Sequence, residues 1–155
     1  MIILQDFREK HGHHNEIEEY CKKNDILLHR MKLEVGDYMF GDFNQGRYFP
    51  IGNISVDTKQ NIAELAADLY KDYLSFNKKY KKCYENHIKL YILIGEEVGS
   101  LVDIVRWKSK HSNISGRFLL DLIDRVRKSY GVKFVFCKKQ DIAKNIINIL
   151  KGDTN

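Results

Sequence analysis

A single proline, Pro50, and only three cysteines stand in the 155 residues of this chain. Cys21, Cys83 and Cys137 are widely separated and odd in number, which fits neither a disulfide framework nor a zinc knuckle; they are expected as buried, inert thiols. No apolar run approaches the roughly 18 residues that cross a bilayer, so a transmembrane span and a membrane partner are excluded. There is no glycine-rich phosphate loop and no nucleophile elbow, which disfavours Walker-type nucleotide hydrolysis and serine-hydrolase chemistry. Internal repeats, low-complexity segments and linkers are missing too. The apolar start, Met1-Ile2-Ile3-Leu4, lacks the basic beginning, long apolar middle and cleavage site of a signal peptide, and the expected location is the cytoplasm.

What the chain does have is enough apolar residue, 43% with 12% aromatics, to bury the core of one domain spanning residues 1–155. Its formal charge of +5 is unevenly spread. Residues 1–70 hold 8 basic and 12 acidic side chains, whereas residues 71–155 hold 18 basic and 9 acidic. Two explanations are open. One is a division of labour, with the acidic segment holding cations and the basic one holding phosphates. The other is a Lys-, Asn- and Ile-rich composition, with 19 Lys against 7 Arg.

Along the chain, Ile2-Ile3-Leu4 reads as a buried strand that delivers Asp6 to its C-terminal end. A His-Gly-His-His loop follows, and Asn15 with Glu18 forms a capping box for a helix to about Asn24, with Ile17 and Cys21 on its apolar face. Residues 25–33 return as a strand. Val35-Gly36-Asp37-Tyr38 is a tight connection, with Gly36 supplying backbone freedom and Asp37 beginning the next strand. Residues 41–52, glycine-rich with Asn44 and Pro50, are expected as a loop. Ile54 to Lys59 alternates, so Ser55, Asp57 and Lys59 share one face of a strand. Ile62, Leu65, Ala66, Leu69, Tyr73, Phe76 and Tyr80 then trace the stripe of one long amphipathic helix. Residues 88–94 read as a central strand and residues 99–110 as a short helix around Trp107. A helix from Ser115 to Tyr130 ends at Gly131, followed by a strand to Cys137 and a last helix, 141–150. This alternation predicts an α/β fold with a mixed sheet covered on both faces.

The chemistry concentrates at Asp37 and at Asp57-Thr58-Lys59. Carboxylates from adjacent antiparallel strands can converge on one hard cation such as Mg²⁺, which takes oxygen ligands and keeps waters for a phosphate to displace. A lysine two residues on, and so on the same face, can orient or deprotonate an attacking water and offset charge developing on phosphorus. The bland alternative makes Asp57 a solvent-facing strand residue and Asp37 a turn former.

With Asp6-Phe7-Arg8-Glu9, these residues resemble the XPF-type nuclease domain of the PD-(D/E)xK endonuclease superfamily. Asp6 to Glu9 reproduce the family's Asp-x-Arg-Glu, Val35 to Tyr38 match its Val-Gly-Asp-Tyr, and Val56 to Lys59 stand where it has Val-Glu-Arg-Lys. The resemblance implies a restriction-endonuclease-like fold, DNA as partner and Mg²⁺ or Mn²⁺ as cofactor. It makes Asp37 and Asp57 metal ligands, Lys59 the catalytic lysine, and Asp6 and Glu9 further acidic members of the site. Asp57 is shorter than the family's Glu, Thr58 replaces its Arg, and Ala63 stands where it has a downstream Asp, a place that Glu64 or Asp68 would have to fill. No helix-hairpin-helix module is expected after residue 155, so a preference for forks or flaps does not carry over. A homodimer through the last two helices is a candidate. The expected activity is metal-dependent DNA endonuclease, structure-specific on branched DNA or not. The alternatives are a non-catalytic nucleic-acid-binding partner subunit and an RNA-directed nuclease of the same chemistry.

For the phosphate backbone the sequence offers Arg8 and two basic sets. Lys71, Lys78, Lys79, Lys81, Lys82 and Lys89 follow the long helix, interleaved with aromatics that belong mostly to its apolar stripe. Arg106, Lys108, Lys110 and Arg117 form the second set, where Ser115-Gly116 opens a helix and is either a phosphate seat or a solvated loop. His11, His13 and His14 share one short loop without a second ligand cluster. They are a weak metal candidate, and a substrate contact beside Asp6 and Glu9 is the other option.

Overall fold

The chain forms one six-stranded mixed sheet between two layers of helices. The computed structural model describes residues 1–8, 15–71 and 73–152, with residues 71 and 73–76 as backbone only. Glu9, His11, His13 and His14, and the side chains of Lys71, Tyr73 and Phe76, lie outside the described residues.

The strands are β1 (Ile2–Asp6), β2 (Leu27–Met31), β3 (Tyr38–Asn44), β4 (Arg47–Lys59), β5 (Lys89–Ile94) and β6 (Lys133–Phe136). Their order is β2-β1-β3-β4-β5-β6. β3 runs antiparallel to its neighbours β1 and β4, and the other pairs are parallel. The helices are α1 (Asn15–Lys23), α2 (Ile62–Lys71), α3 (Tyr73–Glu85), α4 (Gly116–Tyr130) and α5 (Ile142–Lys151). The period of two sorts each strand between the layers. Leu90, Ile92 and Ile94 of β5 pack with α2, α3 and α4, whereas Tyr91 and Leu93 join Val56 of β4, Ile17 and Cys21 of α1, and Ile146 and Ile147 of α5. Both faces are therefore dry, which is why β5 reads as an unbroken apolar run. The three cysteines are buried, and burial pushes the Cys21 and Cys137 thiols up to about 11, as expected of inert thiols. No helix among the described residues is long and apolar enough to cross a membrane.

One element differs from the sequence reading. Residues 41–52 belong to a β-hairpin, with Asn44 opposite Arg47 and both loop residues, Gln45 and Gly46, at positive φ (49° and 75°). That is the two-residue turn whose twist matches paired strands. The other breakers have local causes. Gly41 makes room for Leu4 of β1, whose Cγ would lie 2.5 Å from an added Cβ, and Gly52 takes a φ of 76° where the β3–β4 register is irregular. The long helix of the sequence reading is described in two segments, α2 and α3, on either side of residue 72. A 3-10 helix, Leu101–Arg106, ends just before Trp107. α4 is capped by Ser115 Oγ, which accepts from the Phe118 amide, and ends at Gly131 with φ 66°.

Candidate functional site

The C-terminal ends of β1 and β4 and the start of β3 meet at one edge of the sheet, which brings Asp6, Asp37, Asp57 and Lys59 to one region. Asp37 is set by backbone. Its amide donates to the Val56 carbonyl and its carbonyl accepts from the Asp6 amide, both at 2.8 Å. Gly36 permits this approach, since it has φ 69° and an added Cβ would lie 2.0 Å from Ser55 Oγ and 3.0 Å from the Val56 oxygen. Ser55 Oγ in turn donates to the Val35 carbonyl at 2.9 Å. Asp37 Oδ2 accepts from the Thr58 amide at 2.7 Å and from Thr58 Oγ1 at 2.8 Å. The residue standing where the resembled family has an arginine therefore orients one acid of the pair.

Asp57 and Lys59 share the face covered by α2 and α3, as the alternation required. Lys59 Nζ lies 2.9 Å from Asp57 Oδ1 and 2.9 Å from Asp68 Oδ2 of α2. Lys79 of α3 pairs with the other oxygen, Asp57 Oδ2. Burial opposes charge on Asp57, but Lys79 and Lys59 outweigh it and hold the carboxyl below its usual range. Burial likewise opposes charge on Lys59, and Asp57 and Asp68 outweigh it, so the ammonium stays protonated well beyond its ordinary pKa. Of the two alternatives for the downstream acid, Asp68 meets the lysine. Glu64 caps α2 instead, accepting from the Gln60 amide at 2.6 Å while its own amide donates to Asn61 Oδ1 at 2.8 Å.

Asp6 is a clasp. Its Oδ1 accepts from the Arg8 amide (2.8 Å) and Nε (2.9 Å), and its Oδ2 accepts from an Arg8 terminal nitrogen (2.7 Å) and the Leu33 amide (2.9 Å). Burial pushes this carboxyl up, but the Arg8 and Leu33 hydrogen bonds together hold it below the usual range. The same Arg8 nitrogen donates to the Leu33 carbonyl at 2.8 Å, so Arg8 is a positioned cation.

A cleft of about 430 Å³ opens beside these groups, lined by the acids Asp6, Glu34 and Asp37 and by the cations Arg8, Lys78, Lys79 and Lys82. Lys82 pairs with Glu34 at 2.5 Å, and Lys81 faces Glu85 on its own helix at 3.7 Å. The second basic set borders a different cleft, of about 760 Å³, where Lys108, Lys110 and His111 join Tyr70 and Trp107. Those aromatics were not anticipated there. Arg117 is exposed on the first turn of α4. At Ser115-Gly116 the glycine is buried, and an added Cβ would lie 2.0 Å from the Ile104 oxygen and 2.7 Å from those of Val105 and Trp107, so no side chain fits at the second position.

The inward placement of Lys79 was the main omission of sequence reasoning, and a signal existed. Lys79 lies beside buried Tyr80 and four residues before buried Cys83, so its Cα belongs to the apolar stripe. Asp68, beside Leu69 and three after Leu65, is placed in the same way on α2.

In kind, the donors fit a hard divalent cation, since Asp37 and Asp57 offer carboxylate oxygens from neighbouring strands. Among the described residues, no group of three or more His, Cys, Asp or Glu side chains converges to hold a metal. An ammonium stands at each oxygen of Asp57 instead.

No protein-family model matches this sequence, and no curated protein matches it either. Solved structures do match. XPF from Aeropyrum pernix superposes with a TM-score of 0.69 at 15% identity, over 100% of this chain and 66% of that one. The same protein in complex with DNA gives a TM-score of 0.63 at 15% identity, over 96% of this chain and 62% of the other. This chain thus spans about two thirds of the length of these structures, and over that length it has their α/β fold, as its motifs led one to expect.

Proposed function

We propose that this chain is a divalent-metal-dependent endonuclease that hydrolyses phosphodiester bonds in DNA. One observation carries the proposal: Asp37, Asp57 and Lys59 gather at one sheet edge beside a cleft lined by Arg8, Lys78, Lys79 and Lys82. Asp37 and Asp57 would hold Mg²⁺ or Mn²⁺. When bound, such an ion polarises a phosphoryl oxygen and acidifies a water. Lys59, kept protonated by Asp57 and Asp68, is unsuited to removing a proton; it donates hydrogen bonds that orient a water and offset charge on phosphoryl oxygens. Thr58 fixes the rotamer of Asp37, and Asp6 fixes Arg8. Glu9, which the motif adds to the acidic pocket, is part of the proposal from sequence alone. The cleft lysines, with Lys108, Lys110 and Arg117, receive the backbone through charge, giving affinity that falls with salt. The DNA complex of the similar fold supports DNA as the polyanion.

A second reading, a non-catalytic nucleic-acid-binding subunit, draws support from Asp57 having both oxygens on lysines. Cleavage of branched, single-stranded and duplex DNA with Mg²⁺ or Mn²⁺ by wild type, Asp57→Ala and Lys59→Ala separates the two. The enzyme requires activity in wild type and its loss in both variants with much of the DNA binding kept. DNA binding without cleavage by any of the three favours the binding subunit, and equal cleavage by all three removes Asp57 and Lys59 from the mechanism.

A further inference from the structure

One carboxylate oxygen cannot serve an ammonium and a metal ion together, and that conflict is built into Asp57. We propose that Lys79 is the resident counter-ion of Asp57, which leaves the carboxylate when a divalent cation enters. This rests on the reading of Asp57 as a metal ligand.

Four observations support the exchange. Asp57 is 1% exposed and is absent from the residues lining the 430 Å³ cleft, whereas Asp37 and Lys79 both line it. The Lys79 side chain therefore stands between the cleft and the carboxylate. Its setting differs from that of the other lysine on Asp57: the Lys59 side chain is 11% exposed and also meets Asp68 at 2.9 Å, while the Lys79 side chain is 30% exposed and lines the cleft. Charge gives the same answer. Among the described residues, Asp37, Asp57 and Asp68 against the Lys59 ammonium leave two negative charges, which one divalent cation neutralises. Adding the cation with Lys79 still in place would leave an uncompensated positive charge in a buried setting, which is costly. Finally, the withdrawn ammonium has somewhere to go, since the cleft it already borders is open to solvent and to the phosphates that Lys78 and Lys82 would also meet.

The test needs no turnover. Mn²⁺ binding to wild type, Lys79→Gln, Lys78→Gln and Asp57→Asn is followed by the electron paramagnetic resonance signal of the free hydrated ion, without nucleic acid. Lys79→Gln should bind Mn²⁺ on the order of tenfold more tightly than wild type, because the competing cation is gone. Lys78→Gln removes the same charge one residue away and reports the general electrostatic effect, expected below about threefold. Lys79→Gln binding no more tightly than Lys78→Gln overturns the exchange. Asp57→Asn binding as wild type does overturns the reading of Asp57 as a ligand, whatever Lys79 does. A measurement on wild type alone guards against a variant that does not fold. In proton–nitrogen spectra of the lysine ammonium groups, saturating Mg²⁺ should shift or remove the Lys79 signal and keep that of Lys59. An unchanged Lys79 signal under saturating Mg²⁺ also overturns the proposal.

Discussion

Lys59 reaches across from β4 to α2 and places its ammonium 2.9 Å from Asp68 Oδ2, the same distance at which it meets Asp57 Oδ1. Asp68 is thus a positioning group for the lysine, supplied by a different element. Asp68→Asn should lower DNA cleavage about tenfold, or about 1.4 kcal/mol of barrier. Stability should fall by about 1 kcal/mol, since one charged partner of a half-buried bond is lost. Single-turnover cleavage beside DNA-binding affinity is the check: a drop in binding that matches the drop in rate would mean Asp68 does not act through Lys59.

The Asp6 clasp makes stability depend on pH. Because the folded carboxyl titrates below its unfolded value, near 4, the clasp is at full strength above that value and is lost as pH falls through the lower folded one. Asp6→Asn should cost about 1–3 kcal/mol at pH 7, where Arg8 and the Leu33 amide lose an ionised acceptor. Urea unfolding between neutral and strongly acidic pH should show the gap between wild type and variant closing. A gap that stays constant would mean the carboxyl is not the ionised partner.

Gly36 and Gly46 both have positive φ, 69° and 75°, yet only the first is crowded. Gly46→Ala should cost about 1 kcal/mol, the left-handed penalty alone. Gly36→Ala should cost clearly more, above about 2 kcal/mol, because its Cβ would drive into Ser55 Oγ and push Asp37 off β4. Paired denaturant titrations measure the difference directly.

If the cleft with Tyr70 and Trp107 carries backbone, Lys108→Gln and Lys110→Gln should weaken DNA binding to a similar degree for unrelated sequences. Each should also reduce the slope of log affinity against log salt by about 1. Titrations over a KCl series read both quantities, and unchanged slopes would remove these lysines from the interface.

Strands and the first level of the site were legible because side-chain alternation is a rigid rule. Asp57 and Lys59 had to share a face, and Leu90 to Ile94 had to be buried on both. The hairpin was hidden because Gly41, Pro50 and Gly52 read as breakers. Their reasons lie on other strands, in Leu4 of β1 and in the irregular β3–β4 register. The partners Asp68 and Lys79 were hidden for a related reason. A charged residue beside an apolar stripe reads as the solvated edge of a helix until the opposing surface proves to be a buried charge.

The acids and most of the cations at this edge come from different kinds of element. Asp6, Asp37 and Asp57 sit on or against three contiguous strands, β1, β3 and β4, whereas Lys78, Lys79 and Lys82 all belong to α3, within the crossover from β4 to β5. The crossover is thus a cassette: replacing α3 would rewrite the positive half of the cleft while the strands that carry its negative half keep their register.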